Sequence, residues 1–402
     1  MKIIIRAWVI LATFTLIAAV GIEKNPQWKG TIEEEDGVKV IKNPNEPLYG
    51  EITFDLEEDL SIGNEEDENY AFYRAGMPAV DSEGNILVLD SGNYRIQKYD
   101  KDGKYLQSIG RQGQGPGEFE MPFTPYMPFT LYLDADDNIY VCDMGRRKIQ
   151  KFAKSGNFIN SITSDLYTRE FGITKNGNYI ACTSSGAYIN IDLISQEGTT
   201  IKTIASFRWE RSDGIKTERG FISPNSLCIP QLCLCPINED LAIYGYSTDY
   251  SLFAINAKGE TVYIIQKDEP PQPVTKTEKD RVIDRFMGGQ KENKRMPKIS
   301  RSKYVSALKF PKHKPFYERI IKDDKDRIYV EKFKFLFNRS EIADFDIFSK
   351  DGYYLYKAKI PVQYSLIRHG YIYSTEYDQD TGYAKIKRYR IKNWEQIKTG
   401  IN

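Results

Sequence analysis

Residues 79–106 read AVDSEGNILVLDSGNYRIQKYDKDGKYL, and residues 132–159 read YLDADDNIYVCDMGRRKIQKFAKSGNFI. The two stretches align without a gap at an offset of 53 residues, so that Asp81 matches Asp134 and the tripeptide IQK recurs. Turn-forming residues separate each copy into short runs that are rich in β-branched and aromatic residues. Four short strands per unit at this period predict one blade of a β-propeller.

Fainter copies of the unit follow the first two. They begin at Ile173, Pro236, Ile320 and Leu366, which brings the number of units to six. The sixth unit runs out of chain after its third strand, and an open sheet edge promotes aggregation. The stretch VKVIKNPNEPLYGEITFDL, residues 38–56, precedes the first unit and is itself strand-like. We therefore expect an N-terminal strand to close the last blade.

Two motifs carry a family resemblance. The glycine-rich run that ends in GPGEF, together with VDSEGNILVLDSGNYRIQK of the first unit, resembles NHL-repeat proteins. The whole chain resembles the bacterial secreted 6-bladed β-propeller family, strongly in the first two units and by strand spacing in the later four. The resemblance implies an all-β, NHL-like, six-bladed β-propeller over residues 38–402, after an acidic N-terminal segment at residues 22–37.

The stretch GRQGQGPGEF, residues 110–119, also has the glycines of a phosphate-binding loop. In such a loop backbone N–H groups approach the anion, and a Lys and a Ser or Thr usually end it. Here Pro116 lacks an N–H group, and Glu118 and Phe119 occupy the positions of the Lys and the Ser or Thr. We interpret the stretch as the connection from the outer strand of one blade to the inner strand of the next, with glycines at positive φ.

The N-terminus has the features of an export signal. Lys2 and Arg6 precede an apolar run at residues 7–22. As a helix this run spans roughly 24 Å, which is shorter than the ~30 Å hydrocarbon core of a bilayer. A signal peptide over residues 1–21 is therefore favoured, and a membrane anchor formed by residues 7–22 is the alternative. We expect a secreted or periplasmic protein that contacts membrane only through an uncleaved N-terminal segment.

One segment does not fit the repeat. Residues 267–316, between the fourth and fifth units, begin with a proline-rich stretch and are rich in Lys and Arg in the middle. We predict a basic helical insertion whose helix begins at Lys276 or Thr277 and runs through Met287, with Gly288 and Gly289 ending it. The alternative is a solvated loop. Residues 33–68 are strongly acidic, so that the two segments either attract each other or each mark a partner surface.

Composition limits the chemistry. NHL-like lyases use several histidines, whereas this chain has only His313 and His369, too few for a site of three histidine ligands. A calcium-dependent lactonase-like or esterase-like hydrolase needs only carboxylates, amides and carbonyls. It remains the alternative function, with calcium as its possible cofactor, although turns already explain the Asp and Asn residues of the repeats. No catalytic residue, and no metal ligand, is assigned.

The chain has five cysteines, an odd number. Cys142 and Cys182 occupy the position that Leu89 fills in the first unit, so we interpret both as packing residues. CIPQLCLC lacks the C-x2-C spacing of structural zinc sites. We expect mostly buried thiols with at most one or two disulfides.

The expected function is that of a non-catalytic binding or scaffold module with a protein, peptide or glycan ligand at the mouth of the central channel. The 56 Lys and Arg balance the 56 Asp and Glu, which together with export argues against a nucleic-acid partner. Residues just before the inner strands should lie near one mouth, where Arg binds carboxylate or sulfate and Tyr stacks on sugars or peptides. The loop MPFTPYMPFT lies near the same mouth or packs between blades. The candidate ligand-binding residues are Tyr73, Arg74, Tyr126, Met127, Arg169, Glu170, Glu318 and Arg319.

Overall fold

Short strands account for most of the regular structure. The computed structural model describes residues 26–120, 130–143, 148–163, 170–209, 212–218, 220–224, 227–292, 297–335, 337, 342–360, 366–378 and 380–401. The first five strands form the N-terminal arm: β1 (Thr31–Glu35), β2 (Val38–Asn43), β3 (Glu51–Thr53), β4 (Leu56–Ile62) and β5 (Phe72–Tyr73).

The remaining elements follow in chain order. Blade 1 has β6 (Ala79–Val80), β7 (Ile86–Asp90), β8 (Arg95–Tyr99) and β9 (Tyr105–Ile109); blade 2 has β10 (Thr130–Leu133), β11 (Ile139–Asp143), β12 (Lys148–Phe152) and β13 (Phe158–Thr163). Blade 3 has β14 (Phe171–Ile173), β15 (Tyr179–Ser185), β16 (Tyr188–Ile194) and β17 (Thr200–Arg208), and a hairpin of β18 (Ile215–Thr217) and β19 (Gly220–Ile222) follows it. Blade 4 has β20 (Leu232–Asn238), β21 (Leu241–Tyr246), β22 (Ser251–Asn256) and β23 (Thr261–Lys267), followed by helices α1 (Lys276–Glu292) and α2 (Arg301–Ala307). Blade 5 has β24 (Tyr317–Lys322), β25 (Ile328–Lys332), β26 (Ala343–Phe348) and β27 (Tyr354–Ile360), and blade 6 has β28 (Leu366–Arg368), β29 (Tyr371–Tyr377) and β30 (Tyr383–Ile391).

Six sheets make up the ring. In each of blades 1 to 5, four consecutive strands pair antiparallel in chain order. Blade 6 has three consecutive strands, β28, β29 and β30, and takes its fourth from β4. The predicted all-β, six-bladed propeller is therefore confirmed.

An N-terminal strand closes the last blade, as predicted, but it lies just downstream of the stretch that we singled out. The closing strand β4 runs from Leu56 to Ile62 and pairs antiparallel with β30. Residues 38–56 contribute only Leu56 to it. Their strands extend other blades instead, because β2 pairs parallel with β23 of blade 4 and β3 pairs parallel with β27 of blade 5. The segment 22–37 contains β1, which pairs with β2.

Opposite charges align the closing strand. The guanidinium of Arg388 donates to both carboxylate oxygens of Asp59, at 2.9 and 3.0 Å. The Nζ of Lys387 lies 3.0 Å from Oε2 of Glu58. Cross-strand pairs of opposite charge stabilise one register over its neighbours. The acidic arm is thus matched to a basic strand of blade 6.

Alternating side chains on each strand pack against two neighbouring blades. In β7, Leu87 and Leu89 belong to the core shared with blade 2, whereas Ile86 and Val88 belong to the core shared with blade 6. Successive side chains of a strand point to opposite faces of the sheet, so a blade between two others must be apolar on both faces. Cys142 lies in the corresponding core between blades 2 and 3, which agrees with the packing role predicted for it.

Polar side chains on third strands tether the connections between blades. Nε2 of Gln97 donates to the carbonyl of Asn69 in the connection that leads into blade 1. Gln150 occupies the same position in blade 2, where its Oε1 accepts from the N–H of Gly117 and its Nε2 donates to the carbonyl of Glu118. Both glutamines are buried. Since a buried amide needs partners, each one orders the connection above it.

The predicted helical insertion is confirmed between blades 4 and 5. Thr275 and Glu278 form a capping box at the start of α1, in which each side chain accepts from the other residue's backbone N–H. The predicted end at Gly288 is wrong, because α1 continues to Glu292. Gln290 lies in this extra turn, and its buried amide bonds both backbone groups of Ile299. Those bonds offset the roughly 1 kcal/mol cost of each helical glycine.

The insertion forms its own hydrophobic core. Val282 and Ile283 of α1 and Tyr304 of α2 pack with Ile215 of the β18–β19 hairpin and with Phe335 of blade 5. The core joins the connection from blade 3 to blade 4, the insertion itself and blade 5. The insertion is therefore a small subdomain on the ring and not a solvated loop.

A buried charge cluster lies where the insertion leaves blade 4. The Nζ of Lys267 lies 2.8 Å from both Asp346 and Glu269, and Lys332 also pairs with Glu269. The hydroxyl of Tyr250 donates to Asp346 at 2.6 Å. Burial alone raises the pKa of Asp346, but Lys267 and Lys332 outweigh it and hold that pKa below its ordinary value. The cluster is a fully paired tether between blades 4 and 5.

Candidate functional site

The topology gives the ring two different faces. Because every blade runs from its inner to its outer strand in the same sense, first–second and third–fourth turns share one face, the turn face. The opposite face, the loop face, holds the turns between second and third strands and the connections between blades. The insertion and the β18–β19 hairpin are both parts of such connections.

Repeat carboxylates on the turn face are occupied by their own turns. Oδ1 of Asp81 accepts from the backbone N–H groups of Glu83 and Asn85, at 3.0 and 2.8 Å. Asp134 and Asp323 bind their turns in the same way. Among the described residues, no group of three or more His, Cys, Asp or Glu is arranged to hold a metal ion. The geometry matches the turn role that the sequence predicts for these residues.

The glycine-rich stretch at residues 110–119 connects blade 1 to blade 2, as we predicted. Oε2 of Glu118 accepts from the N–H of Gly115 at 2.7 Å, while Oε1 lies 2.8 Å from Nε of Arg111. Gly110 and Gly117 have φ of +77° and +75°. The carboxylate of Glu118 already occupies the place that an external anion would take. The stretch is therefore a turn that is stabilised by its own side chain.

Seven of the 13 exposed large apolar side chains among the described residues lie on the loop face. Phe221 in the hairpin is 76% exposed and Tyr188 after a second–third turn is 50% exposed. Five more lie in connections, in such turns or in the insertion: Tyr73, Met77, Val305, Ile342 and Tyr377. The other exposed large apolar side chains of the described residues lie on fourth strands or β1, apart from Ile401 near the C-terminus: Ile32, Leu106, Ile159, Ile201 and Val262.

Three of the sequence-predicted ligand-binding residues come together between blades 3, 4 and 5. Oε2 of Glu170 accepts from the N–H of Leu234 at 2.6 Å, and the thiol of Cys233 donates to the carbonyl of Glu318. Arg319, the next residue, lies 2.7 Å through Nε from Oε2 of Glu331. Burial first, and then the carboxylate of Glu170, raises the pKa of the Cys233 thiol, so this thiol is a packing group.

Tyr73 and Arg74 lie elsewhere, at the junction of blades 6 and 1. Tyr73 is in β5, which continues the edge of β30 beyond β4 and pairs Tyr73 with Tyr383. Arg74 has a φ of +53°, and its guanidinium lies 5.4 Å from the ring centroid of Tyr73. The sequence did not reveal β5, because two residues are too short for a strand pattern.

The other three candidates, Tyr126, Met127 and Arg169, lie outside the described residues, as does the loop MPFTPYMPFT apart from Thr130. The signal-peptide prediction for residues 1–21 also falls outside them. In the part of the chain that the structure describes, neither helix is long and apolar enough to span a membrane. The five cysteines have free thiols.

A cavity of about 220 Å³ lies beside Tyr73, between the connection that follows β4 and the ends of β29 and β30. Its walls are formed by residues 63–65 and 70–72 on one side and by residues 376–378 and 383–385 on the other. Gly63 permits this close approach, since a Cβ there would meet the carbonyl oxygen of Ala384 at 2.9 Å. The sequence did not predict this cavity, which depends on the closure.

Comparisons with known proteins agree with this fold. A family model described as 6-bladed beta-propeller matches residues 79–212, which span blades 1 to 3. This match confirms the predicted resemblance to 6-bladed β-propellers. No curated protein matches the chain.

Solved structures with similar folds come from several bacteria. A candidate exported protein from Bacteroides fragilis has a TM-score of 0.48 at 13% identity, over 88% of this chain and 99% of that one. Virginiamycin B lyase from Staphylococcus aureus has a TM-score of 0.39 at 12% identity, over 84% of this chain and 99% of that one. A gluconolactonase from Xanthomonas campestris has a TM-score of 0.41 at 10% identity, over 83% of this chain and 98% of that one. None of these similarities is strong enough to assign an activity.

Proposed function

We propose that this six-bladed propeller is an exported, non-catalytic binding or scaffold module that engages a peptide, glycan or protein on its loop face. The observation that carries the proposal is the placement of seven exposed large apolar side chains on that face. Burying such side chains on binding is favourable, and the loop face offers seven of them to a ligand. Export is supported by the basic start and apolar run of residues 1–22.

The β18–β19 hairpin and the insertion core support Phe221. Phe221 lies in β19 directly opposite Lys216 of β18, and the ring lies beside Gly214. The other side of the hairpin packs into the insertion core through Ile215. A side chain fixed by its neighbours loses less entropy on binding than one in a mobile loop. The hairpin therefore presents Phe221 as a preorganised anchor.

Polar groups that could orient a ligand border the same face. Arg319 and Glu331 form a partly buried ion pair near the inner strands, with Glu170 and Glu318 close by. Tyr73 and Arg74 border it at the junction of blades 6 and 1. Arginine is suited to carboxylate or sulfate, and tyrosine to sugar rings or peptide planes. We propose these residues as ligand contacts around the apolar anchors, while Tyr126, Met127 and Arg169 remain candidates from the sequence alone.

Peptide and glycan arrays test this proposal with the mature protein, residues 22–402. The test variant combines Tyr188→Ser and Phe221→Ser on the loop face. The matched control combines Ile159→Ser and Ile201→Ser on fourth strands, at 48% and 54% exposure. We expect array ligands to bind wild type and the control, and to bind the loop-face variant at least about tenfold more weakly. Equal binding by both variants, or no ligand for wild type on either array, would overturn the proposal.

A further inference from the structure

The cavity beside Tyr73, called the closure cavity from here on, is lined by aromatic and charged side chains. Four aromatic rings line it, and they come from both walls: Tyr70, Phe72, Tyr377 and Tyr383. Phe72 is completely buried and Tyr377 is 45% exposed, so the cavity runs from the core to the surface. Its volume of about 220 Å³ equals that of roughly seven waters, which suits one side chain or a small molecule.

Carboxylates also line the cavity. Glu65, Glu376 and Asp378 line the cavity, and Lys385 is the one basic residue among the lining residues. Asp378 accepts from the backbone N–H groups of Asp380 and Thr381, which hold its pKa below the ordinary value. Acidic groups therefore exceed basic ones in this cavity.

Each of these carboxylates already has a fixed position. Oε1 of Glu376 accepts from the hydroxyl of Tyr389 at 2.9 Å, and its Oε2 lies 3.2 Å from Nζ of Lys387. Oε1 of Glu65 accepts from the hydroxyl of Thr381 at 3.2 Å. A carboxylate has about four lone-pair sites, so each can accept a further N–H. A ligand would meet oriented acceptors.

We propose that the closure cavity binds the ammonium group of a peptide ligand. This group is either a lysine side chain of the peptide or the peptide's own N-terminal amine. Aromatic walls attract a cation through their π-faces and cover its methylene groups, while carboxylates of the lining accept its N–H bonds. This inference rests on the proposed function, because it names the ligand chemistry at one part of the loop face. The nearby Tyr73 and Arg74 then flank the bound peptide.

Charge distinguishes an ammonium from other small ligands. A carboxylate or phosphate would be repelled by Glu65, Glu376 and Asp378. A neutral sugar would gain hydrogen bonds but would not respond to the charge of Lys385. For an ammonium, removal of Lys385 takes away a like charge and should tighten binding. Tighter binding after removal of Lys385 therefore distinguishes ligand binding at this cavity from a purely structural role of its walls.

Ligand-observed NMR titration tests the proposal on the mature protein, residues 22–402. The probes are Nα-acetyl-lysine methylamide, its Nε-acetylated form, lysine methylamide with a free α-amine, and glucose. We expect saturable binding of both amines and about tenfold weaker binding once the side-chain charge is acetylated and the α-amine blocked. Preference between the two amines identifies which source of the ammonium is favoured. Equal binding of the Nε-acetylated probe, or binding of glucose alone, contradicts the proposal.

Three variants localise the binding. Glu376→Gln should weaken amine binding about tenfold, whereas the matched Glu58→Gln removes the other carboxylate partner of Lys387 but does not line the cavity. Lys385→Ala should strengthen amine binding severalfold. Identical losses in Glu376→Gln and Glu58→Gln, or no gain in Lys385→Ala, would overturn the inference. If amines bind but the substitutions at Tyr188 and Phe221 leave the binding of array ligands unchanged, then only the proposed function fails. If the array result holds and amines do not bind, then only this inference fails.

Discussion

Two charged regions lie outside the repeat units, and the structure uses them in different ways. The N-terminal arm from residue 33 to residue 68 has 14 acidic residues and two lysines, whereas residues 267–316 have 14 basic residues and six acidic ones. The arm spreads over the outer edges of blades 4, 5 and 6 as additional strands. The insertion packs around a core that it shares with the β18–β19 hairpin and blade 5.

The two regions differ in the ion-pair partners of their charged side chains. Carboxylates of the arm pair with Lys42 in the arm itself, with Lys357 of blade 5 and with the basic residues of blade 6. Basic residues of the insertion include Lys314, which pairs with Glu278 inside the insertion, while Lys276, Arg281 and Arg285 lie exposed. A charged segment thus serves closure where a strand of opposite charge exists, and it remains a surface where none does.

The largest effect is expected where the two regions meet. The carbonyl of Asn43, at the end of β2, accepts from the N–H of Asp268, next to the buried cluster of Lys267 and Asp346. Asp346→Asn leaves Lys267 and Lys332 with one less buried charge, which costs about 3 kcal/mol of unfolding free energy. Asp344→Asn on the same strand is the control, because its pair with Lys334 is more exposed. Urea unfolding measures both, and equal small losses would contradict a stabilising role of the cluster.

The ion pair of Lys267 and Asp346 also predicts that the stability of the protein depends on pH. Because the folded-state pKa of Asp346 is lowered from 3.8, its contribution to stability is complete above the unfolded-state pKa and is lost as pH falls through the folded-state value. Asp346→Asn should therefore flatten the acid side of the stability curve below about pH 4. A wild-type and a variant curve that stay parallel from pH 6 to about pH 3 would contradict this assignment.

The same truncation can be made in both regions. Ile62 in β4 and Ile283 in α1 are 2% and 7% exposed. Ile→Ala at either site removes buried methyl groups and costs about 3 kcal/mol. At Ile62 the loss opens the ring and should accelerate amide exchange in all blades. At Ile283 it should remain confined to the insertion, the β18–β19 hairpin and the part of blade 5 that shares their core. Global acceleration in both variants would show that the insertion is not a separate subdomain.

Sequence patterns predicted the ring because the unit repeats locally. Asp81 and Asp134 mark turns within four residues of their partners, so pattern alone locates them. The closing strand was harder to place, because the charges that select it, Asp59 and Arg388, are separated by 329 residues. Nothing within residues 38–62 distinguishes a closing strand from a strand that extends a neighbouring blade.

Some residues of the candidate site could be located from the local repeat, whereas others depend on contacts that are distant in sequence. Glu170, Glu318 and Arg319 were brought together because each precedes or begins an inner strand, which the repeat defines. Tyr73 lies elsewhere because β5 continues the edge of blade 6 before the chain reaches the inner strand of blade 1. The closure cavity depends on this detour, so local sequence could not predict it. The predicted end of α1 was wrong for a similar reason, because the last turn of the helix depends on a hydrogen bond between Gln290 and Ile299, nine residues away.

The smallest effect concerns the start of the insertion. Thr275→Val removes the hydroxyl that accepts from the N–H of Glu278 at 3.3 Å, which should destabilise α1 by about 1 kcal/mol. Thr277→Val, inside the helix, keeps the same change of side chain without loss of the cap. Amide exchange in α1 should rise about fivefold in Thr275→Val alone, while β7 and β8 of blade 1 remain unchanged. Because the insertion has its own core, a local change of this size should not reach the ring. If exchange in blade 1 rose in parallel with α1, then the insertion and the ring would unfold as one unit, and the contrast with the arm would be one of degree only.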